Sequence, residues 1–412
     1  MMPPMRLARL HHPAPCVLRT SPAAQRATLK THAAPAPFPV IPTCPDPTCP
    51  CSSMPAGLDI DRKAHLSGTM SAHSQHLIVS TGRSDWTSRI ENERDTAVWG
   101  RFTADVKSMM GRRGEFFDPY HNDVMVSTSS FAPLEVAERE AELQRSSGTP
   151  TATSVQAQKT VDAILFPAFK HFRGLSTKNS DDGQGKTNGD SNNARTLIKS
   201  FLLPEKDKLN AVHNHLSESE RGAKSRDPSL ASSLDASTVQ TPTILICSHG
   251  QRDHRCGVLG PLLHDEFARY ISCRDPIFEG GMGVKLEAVK GAFVSSSLSS
   301  SASTSTSSSS STNIQKVPVN IGMISHVGGH KWAGNVIIYV PPGARQFLYS
   351  PGAADAVAVP PIRHPLAGEG IWYGRVEPKH VEGIIEQTLL RGNVIRDLFR
   401  GGLSAYGDVL RL

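Results

Sequence analysis

Apolar and polar positions along the first half of this chain predict strands that alternate with helices. Three short apolar runs bounded by turn residues predict buried strands, and they read "HLIVSTG" (76–82), "DVMVSTSS" and "DAILFPAF". Between the first two runs, "ENERDTAVWGRFTADVKSMMG" has apolar residues at helical spacing. Alternation of strands and helices predicts an α/β fold.

The second half repeats this pattern more clearly. The run "TPTILICSHG" predicts a strand that ends at Cys247, and "CGVLGPLLHDEFARYISC" then has helical periodicity. Four further runs predict strands: "VKLEAV", "VPVNIGMIS", "NVIIYV" and "IWYGRV". A last helix is predicted between Pro378 and Gly392, which are typical start and stop residues. This order predicts a thioredoxin-like layout.

Changes in composition divide the chain into regions. Residues 1–43 are basic, contain many Ala and Pro residues, and precede the first acidic residue, Asp46. This composition predicts a mitochondrial transit peptide, with the matrix as destination, although a disordered Pro/Ala-rich tail has similar composition. We then predict an N-terminal α/β domain at 44–216 with a polar insertion at 175–195, and a linker at 217–240. A C-terminal domain is predicted at 241–412, with a serine-rich surface loop at 294–312.

Charge and cysteine content narrow the functional classes. The net charge is +6, and the N-terminus carries much of it, so we expect no nucleic-acid binding. No apolar run is long enough to cross a membrane, which predicts a soluble protein without membrane insertion. The chain has 7 cysteines, an odd number without even spacing, which favours a metal or redox site over a disulfide framework.

Two short motifs contain candidate metal ligands. Cys247 and Cys256 form a C-x8-C pair at the end of a predicted strand and the start of a predicted helix, and His326 and His330 form an H-x3-H pair between two later strands. Two thiolates and two imidazoles are ligands that soft and borderline metals take. Several residues of the first loop could orient a ligand or shape the local field, although each also suits a solvated loop: His249, Arg252, Asp253, His254 and Arg255. After the histidine pair, we expect Asn335 to anchor the loop and Lys331 to point to water.

The identity of the four residues does not by itself decide between a zinc ion and an iron–sulfur cluster. Closed zinc sites use tighter cysteine spacing than C-x8-C, whereas a [2Fe-2S] cluster is wider and accepts histidine on one iron. The spacing therefore favours an iron–sulfur cluster. Gly328 and Gly329, between the two histidines, would let backbone approach such a cluster closely.

The two motifs and their surroundings resemble a known family. The stretches "CSHGQRDHRCG", "HVGGHKWAGN", "NVIIYVPPG" and "IWYGRVEPKHVEGIIEQTLLRG" resemble the sucrase/ferredoxin-like family, and more narrowly its fungal mitochondrial branch. The resemblance implies a thioredoxin-like ferredoxin domain whose [2Fe-2S] cluster is bound by Cys247, Cys256, His326 and His330. No arranged pair of carboxylates supports the glycoside hydrolysis that the first half of the family name suggests.

The leading functional prediction is an electron carrier, rather than an enzyme, in mitochondrial redox or thiol homeostasis. The sequence has no dinucleotide-binding fingerprint in a strand–turn–helix context, so we expect an unidentified protein partner, a reductase or an acceptor. A zinc-binding thioredoxin-like structural or interaction module is the alternative. A thiol enzyme is disfavoured because the C-terminal domain has no C-x-x-C pair. For Cys44, Cys49 and Cys51 we favour a structural or processing role over a second metal site.

Overall fold

The apolar runs form strands where the sequence predicts them. A computed structural model describes residues 36–121, 123–137, 160–177, 193–274, 284–295, 315–346 and 362–412. The strands in these ranges are β1 Val40–Ile41, β2 Gln75–Ser80, β3 Val124–Ser129, β4 Thr160–Phe166, β5 Lys170–Ser176, β6 Asp235–Thr238, β7 Thr243–Cys247, β8 Val284–Val289, β9 Gln315–Ile324, β10 Val336–Tyr339, β11 Arg345–Gln346, β12 Ile362–Arg363, β13 Gly370–Tyr373, β14 Val394–Ile395, β15 Phe399–Leu403 and β16 Val409–Leu410.

Helices occupy less of the described chain than strands. Their bounds are α1 Val98–Met110, α2 Asn193–Leu197, α3 Glu218–Lys224, α4 His254–Cys273 and α5 Val381–Gly383. Wider π-helical turns continue α2 through Ile198–Leu202 and α5 through Ile384–Leu390. The prediction of an α/β fold is therefore confirmed, and the strands and helices named in the sequence all form within a few residues of their predicted positions.

Most strands join one mixed sheet of twelve strands among the described residues, in the order β16-β15-β13-β10-β7-β9-β3-β2-β4-β5-β6, with β8 beside β9. In the C-terminal part, β7 is parallel to β9 and antiparallel to β10, which is antiparallel to β13. In the N-terminal part, β2 is parallel to β3 and antiparallel to β4. The thioredoxin-like assignment of the C-terminal part stays a prediction.

The two parts of the sheet meet at a narrow seam. Strands β3 and β9 share a single residue pair, Ser129 with Ile324. Serine side chains reinforce this seam, because the Ser130 hydroxyl accepts from the N–H of Met323 and the Ser325 hydroxyl accepts from the N–H of Thr128, both at 2.9 Å. They add to two backbone bonds at the same place, from the N–H of Ser130 to the carbonyl of Met323 and from the N–H of Ser325 to the carbonyl of Thr128.

The two faces of the N-terminal part of the sheet pack into different apolar clusters. Along β2, Leu77 and Val79 belong to the cluster under α1, whereas Ile78 belongs to the cluster that contains α4. Successive side chains of a strand point to opposite faces, so the alternation along β2 follows directly from strand geometry. The second cluster also includes Cys247 and Cys256, which places both predicted thiol ligands in the larger core.

The segment before β2 differs from the prediction. Residues 44–70 were assigned to the N-terminal domain, but the chain from Phe38 to Met70 packs against the C-terminal part of the sheet. Strand β1 pairs in parallel with β14, and Phe38, Ile60 and Met70 are buried in the same cluster as Cys256. Backbone bonds support this packing, because the carbonyls of Pro39 and Pro42 accept from the N–H groups of Val394 and Asp397.

The predicted linker 217–240 contains regular structure. Ser217 begins α3 with a capping box to Glu220, and β6 pairs with β5 at the edge of the sheet. Its polar composition reflects surface exposure rather than absence of order. Residues Ala36–Leu412 form one compact unit, and the predicted domain boundaries stay a prediction. Most of the predicted transit peptide, of the insertion at 175–195 and of the serine-rich loop lies outside the described residues.

Candidate metal centre

Cys247 is the last residue of β7, a strand buried along its whole length between β9 and β10. Its N–H donates to the carbonyl of Asn335 at 3.0 Å. The next residue is tied in the same way, because the N–H of Ser248 donates to the carbonyl of Ile324 at 3.1 Å. Strand pairing therefore holds the Cys247 side chain in a fixed place at the end of the sheet.

Cys256 lies in the first turn of α4, and close helix packing brings it towards Cys247. Asp253 caps the helix by accepting from the N–H of Arg255 at 3.0 Å. A Cβ on Gly257 would lie 2.6 Å from the Cα of Gly250, and one on Gly260 would lie 2.5 Å from the Cα of Ser248. These helical glycines therefore permit backbone contact between α4 and the loop that follows Cys247.

The histidine loop turns sharply at its two glycines. Gly328 and Gly329 have φ values of 82° and 75°, in the left-handed region that favours glycine. Asn335 fastens the loop, because its Nδ2 donates to the Gly329 carbonyl at 3.1 Å. The ring centroids of His326 and His330 lie 5.3 Å apart. The tight turn therefore places the two imidazoles side by side.

Cys247 interacts with two of the other predicted ligands, Cys256 and His326. The pKa of the Cys247 thiol is lowered well below its ordinary value, first because Cys256 donates a hydrogen bond to its sulfur and then because His326 does so, against the opposing effect of burial. The pKa of Cys256 is raised because it is the donor in that pair. The fourth residue, His330, lies beside His326 at the outer edge, and its Nε2 is 3.9 Å from a carboxylate oxygen of Asp253.

Both imidazoles keep a buried nitrogen without a hydrogen bond. The Nδ1 atoms of His326 and His330 are shielded from solvent and have no hydrogen-bond partner among the described residues. Buried polar atoms in folded proteins nearly always have a partner, so two orphaned nitrogens in one loop suit a bound ligand. In the same ranges, no group of three or more His, Cys, Asp or Glu side chains converges on one point as a single metal ion requires.

His249 connects the two motifs. The sequence did not distinguish this role from that of a solvated loop residue. Its Nε2 lies 2.9 Å from the carbonyl oxygens of Trp86 and Thr87, so this nitrogen donates. Its Nδ1 accepts from the N–H of His326 at 3.0 Å. The ring is buried. A neutral imidazole with one donor and one acceptor nitrogen meets both requirements.

The remaining neighbours of the site serve mainly as loop contacts. Arg255 pairs with Asp253 through two nitrogens and donates to the Asp59 carbonyl at 2.8 Å. Lys331 is half exposed, with its Nζ 3.4 Å from Asp61. Sequence analysis missed Arg400, which lies buried behind the histidine loop. The sequence feature that could have revealed it is an arginine within the otherwise apolar run "LFRGGL".

The N-terminal cysteines lie on the surface of helices α4 and α5. The Cys49 thiol donates to the Glu382 carboxylate at 3.3 Å, and the N–H groups of Thr48 and Cys49 donate to the same carboxylate. The Cys44 thiol faces the carbonyl of His380 at 3.7 Å. These contacts support a structural role for the segment. Within the described residues, no helix is both long and apolar enough to cross a bilayer.

The family model for sucrase/ferredoxin-like proteins matches residues 66–401 of this chain. Three yeast proteins, each named altered inheritance of mitochondria protein 32, are similar to it. The protein from Meyerozyma guilliermondii is 29% identical over 206 residues, covering 50% of this chain and 49% of the relative. Those from Clavispora lusitaniae and Debaryomyces hansenii are each 29% identical over 158 residues, covering 38% of this chain and 34% of each relative. The matched part thus spans half or less of each relative's length. No solved structure matches the chain.

Proposed function

Because this chain belongs to the sucrase/ferredoxin-like family, we propose that it is an electron-transfer protein with a [2Fe-2S] cluster bound by Cys247, Cys256, His326 and His330. The observation that carries the proposal is the pair of orphaned Nδ1 atoms of His326 and His330 beside the two buried cysteines. Two sulfur and two nitrogen donors fit a cluster of this type, which takes thiolates and can take histidines on one iron.

The arrangement of donors favours a cluster over a single zinc ion. Zinc needs its four ligands about 2.0–2.3 Å from one point. A cluster shares its ligands between two metal atoms, so its donors are spread more widely. The eight residues between Cys247 and Cys256 support the wider arrangement, because closed zinc sites use shorter cysteine spacings.

Each candidate ligand would have a distinct task. Cys247 and Cys256 would supply thiolates from the buried side and keep water away, since both are 1% exposed. His326 would supply an imidazole whose position is set by the bond between its N–H and His249. When bound, a [2Fe-2S] cluster accepts and releases one electron. The chain itself would fix the donors, so that little rearrangement accompanies that change.

His330 marks the side from which a redox partner would approach. Its side chain is 43% exposed, whereas Cys247 and Cys256 are each 1% exposed. We propose that one electron enters from a reduced reductase and leaves to an oxidised acceptor protein at this edge. A short distance between the site and the partner's surface favours transfer there rather than through the apolar core.

We further propose that the protein acts in mitochondria, in the matrix, where it supports redox or thiol homeostasis. The name of the relatives, altered inheritance of mitochondria protein 32, associates them with mitochondria. The basic N-terminus without acidic residues before Asp46 agrees with import into the organelle. A fusion of residues 1–43 to a fluorescent protein should co-localise with a matrix marker, and a cytosolic signal would contradict this part of the proposal.

Metal analysis of the purified protein tests the proposed cofactor. Anaerobically purified wild type should contain about two irons and two sulfides per chain, absorb visible light, and give an EPR signal when reduced with dithionite. The variants Cys247→Ser, Cys256→Ser and His326→Ala should lose iron. Cys273→Ser is the matched control, because this cysteine is exposed at the far end of α4. A colourless protein with one zinc per chain would overturn the proposal in favour of a zinc-binding module.

A further inference from the structure

Arg400 is a fully buried arginine on β15, directly behind the histidine loop. Its Nη1 donates to the side-chain oxygen of Asn335 at 2.6 Å and to the carbonyl of Gly328 at 3.2 Å. Its Nη2 donates to the carbonyl of Thr69 at 2.9 Å, and its Nε to the Thr69 hydroxyl at 3.2 Å. Every one of these acceptors is electrically neutral.

The positive charge of buried Arg400 therefore has hydrogen-bond acceptors but no negatively charged partner among the described side chains that it contacts. No carboxylate in the described part of the chain forms an ion pair with it. Burial lowers the pKa of Arg400 to about 10, and the charges that oppose this effect are those of Cys247 and Cys256. An uncompensated buried charge is strongly destabilising, so a guanidinium at 0% exposure requires negative charge nearby. The guanidinium is held against the predicted metal centre instead, because it donates to Gly328 of the histidine loop and to Asn335, whose own carbonyl accepts the N–H of Cys247.

The surrounding backbone is shaped to admit this side chain. A Cβ on Gly329 would overlap the guanidinium, at 2.7 Å from its Cζ, and one on Gly374 would lie 2.7 Å from Cδ of Arg400. Trp332 covers the guanidinium, whose Cζ is 5.2 Å from the ring centroid. Gly329, Gly374 and Trp332 thus enclose a buried cation directly against the histidine loop.

We infer that Arg400 is the counter-charge of the metal centre, a residue that binds no metal but favours the form of the centre that carries one more electron. The inference rests on the proposed function. Adding one electron lowers the net charge of the centre by one, and a fixed buried cation stabilises the more negative form, because charges interact strongly where water is excluded. Arg400 should therefore raise the reduction potential without changing its own protonation.

A potentiometric titration of the cluster-loaded full chain tests this inference, with dithionite as reductant and EPR as readout. Arg400→Gln removes the charge and should make reduction at least about tenfold less favourable, which is about 59 mV for one electron. Arg400→Lys keeps the charge and should shift the potential less. Thr69→Val removes one neutral acceptor of Arg400 and should leave the potential near that of wild type.

Asn335→Asp supplies a second test that leaves Arg400 in place. It puts a carboxylate where the neutral oxygen of Asn335 now accepts from Nη1 at 2.6 Å, and so cancels much of the cation's field. It should lower the potential in the same direction as Arg400→Gln, and it decides the matter if Arg400→Gln does not fold. Unchanged potentials in the variants that fold and retain the cluster would overturn the inference alone. Wild type without iron and sulfide would instead overturn the proposed function.

Discussion

The N–H of His326 donates to Nδ1 of His249 at 3.0 Å, and this bond joins the two motifs that carry the candidate ligands. His249 follows Cys247 by two residues, so the bond links the cysteine loop to the histidine loop directly. The other ring nitrogen is anchored to backbone carbonyls of residues 86 and 87, which extends the link to the N-terminal part of the sheet. One imidazole therefore sets the relative position of three segments.

Replacing His249 should weaken the metal centre without removing a ligand. His249→Phe would leave the N–H of His326 and two carbonyls without their buried partner, and we expect a loss of about 1–3 kcal/mol of stability together with reduced iron content. Thermal unfolding and iron analysis measure the two effects. His254→Gln is the matched control, because His254 is exposed at the start of α4. Equal iron content in His249→Phe and wild type would contradict a positioning role.

Glycine-to-alanine substitutions in two helices should have opposite effects on the stability of the protein. In a helix interior, alanine is normally favoured over glycine by about 1 kcal/mol. Gly260→Ala should nevertheless destabilise the protein and lower its iron content, because the new Cβ would lie 2.5 Å from the Cα of Ser248. Gly222→Ala, on α3, should stabilise it, because no atom lies within 4 Å of the new Cβ. Denaturant unfolding of both variants checks the prediction, and a stabilised Gly260→Ala would contradict the packing argument.

The free energy of unfolding should decrease as the pH is lowered below the ordinary pKa of histidine, and His364 contributes to this decrease. Burial lowers the pKa of His364 from 6.5 to about 4. Its Nδ1 accepts from the N–H of Leu366, and its Nε2 faces the carbonyl of Leu389, both at 3.1 Å, so the folded state holds the neutral ring. The unfolded chain binds the proton more readily, and this contribution to stability is complete above pH 6.5 and decreases towards pH 4.

The variant His364→Asn isolates this contribution. Its side chain does not titrate, so the difference in unfolding midpoint between wild type and variant should shrink as the pH is lowered from 7 to 5. Denaturant unfolding at several pH values measures this difference. A difference that stays constant over this interval would show that His364 binds its proton equally well in both states.

The N-terminal cysteines should differ in reactivity. The pKa of Cys49 is raised, first by burial and then by its hydrogen bond to the Glu382 carboxylate, which lowers the fraction of reactive thiolate. Iodoacetamide should therefore modify exposed Cys51 faster than Cys49, and Glu382→Gln should accelerate the modification of Cys49. Mass spectrometry of the labelled peptides measures both rates. A Cys49 rate unaffected by this substitution would argue against the contact with Glu382.

The sequence by itself determined the local structure and the list of candidate ligands. The apolar runs at β2, β7 and β10 predicted their strands, because burial of alternate or successive side chains is a local pattern. The pairs Cys247/Cys256 and His326/His330 were found because each pair is close in sequence. Asn335 was proposed as an anchor of the histidine loop for the same reason, and it donates to Gly329.

Tertiary structure alone decided how these local pieces meet. The packing of residues 38–70 on the C-terminal part of the sheet, the link from His249 to His326 and the burial of Arg400 beside the cysteines all join residues far apart in sequence. Such contacts depend on which faces of the strands and helices become buried together. A hydrophobic pattern that repeats every two or four residues predicts a strand or a helix, but it does not predict which other element that strand or helix packs against. The ligands could therefore be named from the sequence, whereas their supports could not.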